Sequence, residues 1–172
     1  MKAENNTIED IFLEWYTSHS DGIFRFCLLK TSNRNVALDI TQETFSKVWE
    51  YISKGNEVKE PKAFLYRIAT NLVIDFYRKK KSDSLDTLME AGFDPENINT
   101  ISGEKSAEIQ ELYGKLEGLD DKYKDILIMR FINDMSVQDI AAVYDEHENT
   151  ISVRIHRAIE KLKATYNIQH SE

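Results

Sequence analysis

Cysteine, proline and glycine are scarce in this chain of 172 residues, which has one, two and six of them respectively. A lone Cys27 cannot close an internal disulfide, so a disulfide-stapled scaffold is excluded and a reducing compartment, the cytoplasm, is expected. Few glycines and prolines against 41% hydrophobic residues exclude collagen-like and low-complexity chains. No run of about 18 apolar residues occurs, so no membrane insertion is expected. Residues 1–10 lack the basic and apolar stretches of a secretory leader, and none is expected. The four histidines (His19, His147, His156 and His170) have no ligand spacing to one another or to Cys27, so no metal is expected. A phosphate-binding loop, a dinucleotide fingerprint and a nucleophile elbow are all missing. Neither a cofactor nor enzymatic activity is expected.

What is present is charge, unevenly placed. The formal net charge is −8, which taken whole argues against phosphate binding. By segment it is +2 over residues 1–81, −7 over 82–111 and −3 over 112–172. The middle segment also holds Pro95, Gly92 and Gly103 and little apolar periodicity, which reads as an acidic linker. At roughly 150 residues per domain the length fits one ordinary domain or two small ones. The expected organisation is a helical module at 1–81, a linker at 82–111 and a second helical module at 112–172.

The expected fold class is all-α. Ile8, Ile11, Phe12, Trp15, Tyr16, Ile23, Phe26 and Cys27 recur at three- and four-residue spacing. A turn at 32–35 precedes a second stripe, from Val36 and Ile40 through Phe45, Val48 and Trp49 to Ile52. Pro61 suits the first turn of a third helix, with Phe64, Leu65, Ile68, Leu72 and Phe76 inward. Three such stripes make a small bundle. In the second module Leu112, Leu116 and Leu119 lead into Ile126, Leu127, Met129 and Phe131. Ser136 then caps a short helix, residues 145–149 break the pattern, and Ile151, Ile155, Ile159 and Leu162 line a last helix. Short helix, tight break and longer helix is the outline of a helix-turn-helix.

Three polar faces stand out. Asp39, Gln42, Glu43, Lys47 and Glu50 lie opposite the apolar stripe of the second helix; this fits a dock for a basic protein surface, or simply a solvated face. Arg67, Asn71, Asp75, Arg78 and Lys79 follow helical steps on the third helix, interleaved with Phe64, Tyr66 and Tyr77. Such residues read base edges, phosphates and unpaired bases, although cations also gather at a helix C-terminus because the macrodipole favours them. On the last helix Thr150, Arg154, Arg157 and Lys161 form a stripe with Ser152 beside it, as a recognition helix requires, or as ordinary surface charge.

Taken in order, these segments resemble an extracytoplasmic-function sigma factor of the sigma-70 family. Three blocks carry the match: 37–49, with Asp39, Gln42, Glu43, Phe45 and Trp49; 64–79, with Arg67, Asn71, Asp75 and Arg78; and 119–127 followed by 136–141 and 150–158, with Ser136, Ala141, Thr150, Arg154 and Arg157. The resemblance implies a two-module subunit of bacterial RNA polymerase. Asp39, Gln42 and Glu43 would then dock on the clamp helices of the largest subunit. Arg67, Asn71, Asp75, Arg78 and Lys79 would face the melted −10 strand. Thr150, Ser152, Arg154, Arg157 and Lys161 would face the −35 duplex. It also implies core polymerase, including its flap, promoter DNA and an anti-sigma factor as partners. The pattern departs at the turn, where Asp145, Glu146 and His147 stand in place of a glycine, an apolar residue and a Ser-like cap. Asp145 can visit the left-handed conformation at some cost, whereas Glu146 removes an apolar anchor and adds negative charge near phosphates, so weakened or altered −35 recognition is expected. Two other readings remain open on the residues alone: a free-standing helix-turn-helix regulator that binds duplex DNA unaided, and an interaction-only protein.

Overall fold

The structure is a computed structural model that describes residues 6–83, 111 and 114–169. Most of these residues fall in six α-helices: α1 (Ile8–Thr31), α2 (Arg34–Ser53), α3 (Pro61–Asp83), α4 (Asp121–Leu127), α5 (Val137–Tyr144) and α6 (Glu148–Gln169). No strand occurs among the described residues. The chain is all-α, as its periodicity predicts, and its helices fall into two regions. Of the expected linker, residues 84–110 lie outside the described residues. Helix α3 runs two residues past Lys81 to Asp83.

Local chemistry sets the helix ends. Thr7 and Asp10 form a reciprocal capping box that starts α1, satisfying backbone donors that would otherwise be orphaned. Ser32, in the left-handed region at φ 51°, stops α1, and Asn33 then accepts from Val36 N at 3.1 Å to start α2. Pro61 opens α3, where its missing N–H is no loss. In the second region Ser136 and Asp139 repeat the capping box at the start of α5, and Asp145 ends that helix at φ 53°. The last turn after α4 widens into a π-helical segment, Ile128–Ile132, which the apolar spacing does not predict. It swings Phe131 out to 58% exposure, although the stripe places it inward.

The first region is a three-helix bundle around Ile23, Phe26, Val48, Leu65 and Val73, all buried. Cys27 is fully buried in it, and burial pushes its thiol up to about 12. Gly22 allows α3 to close on α1, because a Cβ there would lie 2.8 Å from the Tyr66 hydroxyl oxygen. The second region packs α4, α5 and α6 around Ile126, Met129, Met135, Ile140 and Ile151. The two cores are continuous: α3 lies against α5, and α1 meets the π-helical segment.

Polar contacts reinforce that junction. Lys30 of α1 is buried, with Nζ 2.5 Å from Asp125 Oδ1 and 3.3 Å from Asp121 Oδ1. Burial pushes the Asp125 carboxyl above the usual range, and the Lys30 charge opposes the shift. Lys62 Nζ lies 3.8 Å from Asp139. Arg25 Nε and Thr70 Oγ1, in the first region, are buried without a hydrogen-bond partner among the described residues.

Candidate nucleic-acid and protein interfaces

Helices α2 and α3 diverge enough to leave a cleft of about 630 Å³. Asp39 and Glu43 supply the α2 wall, and Asn71, Asp75 and Lys79 the α3 wall. Ile40, Ile68 and Leu72 add apolar lining. The face expected to meet protein and the face expected to meet unpaired bases are thus two walls of one opening. All five polar side chains are exposed, and two of them form local pairs. Glu43 lies 3.7 Å from Lys47 and Asp75 lies 3.6 Å from Arg78, and exposed pairs of this kind contribute a few tenths of a kcal/mol, about 0.3–0.5. Gln42 and Arg78 are exposed outside the cleft lining. Lys47 lines the cleft as well.

Arg67 stands apart from the other residues of its stripe. It lines a smaller cleft of about 300 Å³ with Tyr51, Phe64 and the loop at 57–60 that precedes α3. Its Nε donates to the Val143 carbonyl at 3.2 Å, and its Nη2 donates to the Ala142 carbonyl. These are carbonyls of the last turn of α5, where the helix dipole favours a cation. A side chain placed on DNA by the sequence pattern therefore binds the second region in this arrangement. The contact spans 75 and 76 positions of chain, beyond the reach of any local pattern.

In the second region α5, the turn at 145–147 and α6 form the helix-turn-helix that the spacing predicts. Thr150, Arg154 and Arg157 line a cleft of about 510 Å³ together with Lys122, Tyr123 and Asn149. Lys161 follows on the same side, with its Nζ 5.4 Å from the centroid of the Tyr123 ring. Ser152 is exposed and does not line the cleft. Lys122, inside the 119–127 block, and Asn149, inside the break at 145–149, are not among the residues that the sequence singles out for DNA. The signal that finds them is position, since each sits within the first two residues of a helix facing the same opening.

The unusual turn is well formed. Asp145 takes the left-handed conformation normally given to glycine, and the Glu146 N–H donates to the Ala141 carbonyl at 3.0 Å. Glu146 does not stand as unpaired charge: its Oε2 lies 2.6 Å from Arg154 Nη2. The same guanidinium sits 5.7 Å from the centroid of Tyr144. Burial pushes the Tyr144 phenol above its usual range, with the Arg154 charge working the other way. Among the described residues no group of His, Cys, Asp and Glu side chains is arranged to hold a metal ion. No helix among them is long and apolar enough to cross a membrane.

Comparison with known proteins bears on both regions. Residues 15–82 match the family model for sigma-70 region 2, and residues 109–162 match that for sigma-70 region 4. The chain is 31% identical over 169 residues to the ECF RNA polymerase sigma factor SigW of Bacillus subtilis (strain 168), covering 90% of this chain and 88% of that one. It is 27% identical over 162 residues to the RNA polymerase sigma factor SigV of the same strain, covering 93% of each. Among solved structures, the sigma factor RpoE in complex with the anti-sigma factor NepR from Bartonella quintana shares the fold. Its TM-score is 0.71 at 21% identity, over 92% of this chain and 98% of that one. CnrH in complex with the cytosolic domain of CnrY gives 0.68 at 20% identity, over 93% and 90% of the two chains.

Proposed function

This chain belongs to the extracytoplasmic-function group of the sigma-70 family, an alternative sigma factor that binds core RNA polymerase and directs it to promoters, and on that premise we propose how its residues divide the work. Asp39, Gln42 and Glu43 dock on the clamp helices of the largest polymerase subunit. Asn71 takes an unpaired base of the −10 strand, with Asp75, Arg78 and Lys79 around it and Arg67, within α3, facing the loop that precedes the helix. Thr150, Ser152, Arg154, Arg157 and Lys161 meet the −35 duplex, and the second module also touches the polymerase flap. The three parts correspond to residues 1–81, the acidic linker 82–111 and residues 112–172. The work is cytoplasmic, and bond formation is left to polymerase.

The observation that carries this reading is the shared cleft of α2 and α3. Carboxylates for a protein partner and an amide for a base stand on facing walls, so docking brings polymerase next to the strand it must hold open. Binding unpaired bases better than paired ones shifts the duplex toward the melted state. A net-acidic subunit needs no tight DNA binding of its own, because polymerase holds both modules at high effective concentration. Arg67 reaches DNA only when the modules part, since α5 carbonyls hold it in the packed form. An anti-sigma factor as partner is supported by RpoE, which shares this fold and is held by one.

Promoter-specific transcription with purified core polymerase tests the assignment, with the wild type beside Asn71→Ala and Arg154→Ala. The expected result is a specific start with the wild type and weakened starts with both variants. No start above that of core alone overturns the sigma reading. Loss with Asn71→Ala alone removes the second module from promoter choice.

A further inference from the structure

Arg154 is gripped on two sides, by Glu146 of the turn that precedes its helix and by Tyr144 at the end of α5. Glu146 Oε2 holds Nη2 at 2.6 Å, and the Tyr144 ring lies under the guanidinium at 5.7 Å. Within cation–π reach, about 6 Å, an aromatic face fixes the plane of the group. The carboxylate then fixes its rotation within that plane. The contact is a charge-assisted hydrogen bond between side chains that are only 23% and 32% exposed, where such bonds are strongest. It occupies one of the five guanidinium N–H donors, and Arg154 lines the cleft that opens on the exposed face of α6.

The backbone carrying Glu146 is just as fixed. Its N–H closes the end of α5 on the Ala141 carbonyl at 3.0 Å, behind a left-handed Asp145. A flexible cation on a free stem, as at the exposed Arg157, serves phosphates anywhere within reach. A guanidinium locked in plane and rotation serves a flat acceptor pair in one place, which is what the O6 and N7 atoms of guanine present in the major groove.

We propose that Glu146 is a positioning residue for base reading, holding the Arg154 guanidinium so that its remaining N–H edge addresses one base pair of the −35 element. This rests on the reading of α6 as the helix that meets the −35 duplex. Glu146 also neutralises part of the Arg154 charge, so Arg154 contributes base discrimination more than general affinity for phosphate.

The test uses holoenzyme, core polymerase with the full chain, on a duplex promoter library randomised across the −35 element. Bound DNA is sequenced at several salt concentrations. Arg154→Ala is expected to abolish the preference at one position, a loss of roughly 5- to 150-fold in discrimination. Glu146→Gln is expected to lose most of that same preference while binding non-preferred sequences more tightly. Its salt dependence steepens toward one additional phosphate, about 0.9 in log–log slope. Arg154→Lys keeps the charge but not the fork, so it loses the preference with little change in slope. Urea melts of each variant separate lost preference from lost folding, and Glu146→Asp, which keeps the charge on a shorter arm, is the substitute if Glu146→Gln melts early. Glu146→Gln with the preference intact and only the slope changed overturns the proposal. Glu146→Gln with tighter binding to the preferred sequence overturns it too, by making Glu146 a brake. Arg154→Ala with every base preference intact overturns instead the assignment of Arg154 to the −35 duplex.

Discussion

The two modules reach their shapes by different means. Helices α1, α2 and α3 are 24, 20 and 23 residues long, and each buries a continuous stripe against the others. Their orientation is set by many small contributions, at about 25 cal/mol for each Å² of apolar surface removed from water. In the second module α4 has seven residues and α5 has eight, too short to be stable alone. There the geometry depends on single residues: the Ser136–Asp139 box, the left-handed Asp145, the Glu146–Arg154 pair. A surface supported by long stripes tolerates the loss of one side chain. A surface supported by caps and turns does not, and the junction between the modules behaves like the second kind.

Substitutions at the junction and in each module break that contrast or sharpen it. The largest effect is expected at Lys30. Lys30→Met leaves Asp125 buried without its ion-pair partner, with the more distant Lys124 charge as partial compensation, which costs about 3 kcal/mol in urea unfolding, and the double variant Lys30→Met with Asp125→Leu regains most of it. The pH dependence has a definite sign. Asp125 is an acid that burial pushes above the usual carboxylate range in the folded state, against the pull of the Lys30 charge, and removing Lys30 raises it further. The folded variant then takes up a proton more readily than the unfolded chain as pH falls. Its deficit relative to wild type is therefore largest at neutral pH and shrinks on acidification. A deficit that does not change with pH would show that Asp125 is not the group left unpaired.

Next is Arg67→Ala, which removes two charge-assisted bonds to α5 carbonyls. A loss of about 1.5–3 kcal/mol is expected, read as earlier melting and as increased amide exchange in α5. Asn71→Ala, four residues along the same helix, is expected to stay within about 0.5 kcal/mol of wild type because its side chain is exposed. Equal losses at the two positions would abolish the distinction drawn between them. A smaller effect comes from the two capping boxes. Ser136→Ala is expected to cost about 1 kcal/mol, and Thr7→Ala about half of that, because α1 retains a long stripe and α5 does not. Smallest is Asp145→Gly, which relieves the cost of a left-handed non-glycine residue, about 1 kcal/mol, but adds glycine's chain entropy, about 0.5–1 kcal/mol, and is expected to stabilise the second module by only a few tenths of a kcal/mol. Unfolding midpoints of these five variants rank them directly.

Periodicity captured the three helices of the first module and the long α6 because each stripe is written many times over. Cys27, Val48 and Leu65 fall inward as their spacing requires. Trp49, on the same stripe as Val48, is 38% exposed, because it lies against Phe12, at 5.2 Å between ring centroids, near the edge of the bundle. The π-helical segment at Ile128–Ile132 was illegible, since one extra residue per turn leaves the composition unchanged. The junction was illegible for a different reason: Lys30 and Asp125 are distant in sequence, and nothing local to either announces the other. At the candidate sites residue types were legible but juxtapositions were not. Asp39 and Asn71 read as members of separate faces until the crossing of α2 and α3 puts them on one cleft. Glu146 reads as misplaced charge until Arg154 is found eight positions away.

Cys27 has a practical consequence. It is the sole thiol in the chain, fully enclosed, and its thiolate is suppressed by burial, so the native form gives an alkylating reagent nothing to attack. Modification requires the first bundle to come apart. The rate at which label enters therefore counts openings of that bundle alone, even while the second module stays closed. The chain thus carries one natural timer, situated in the half that is argued to hold the melted strand.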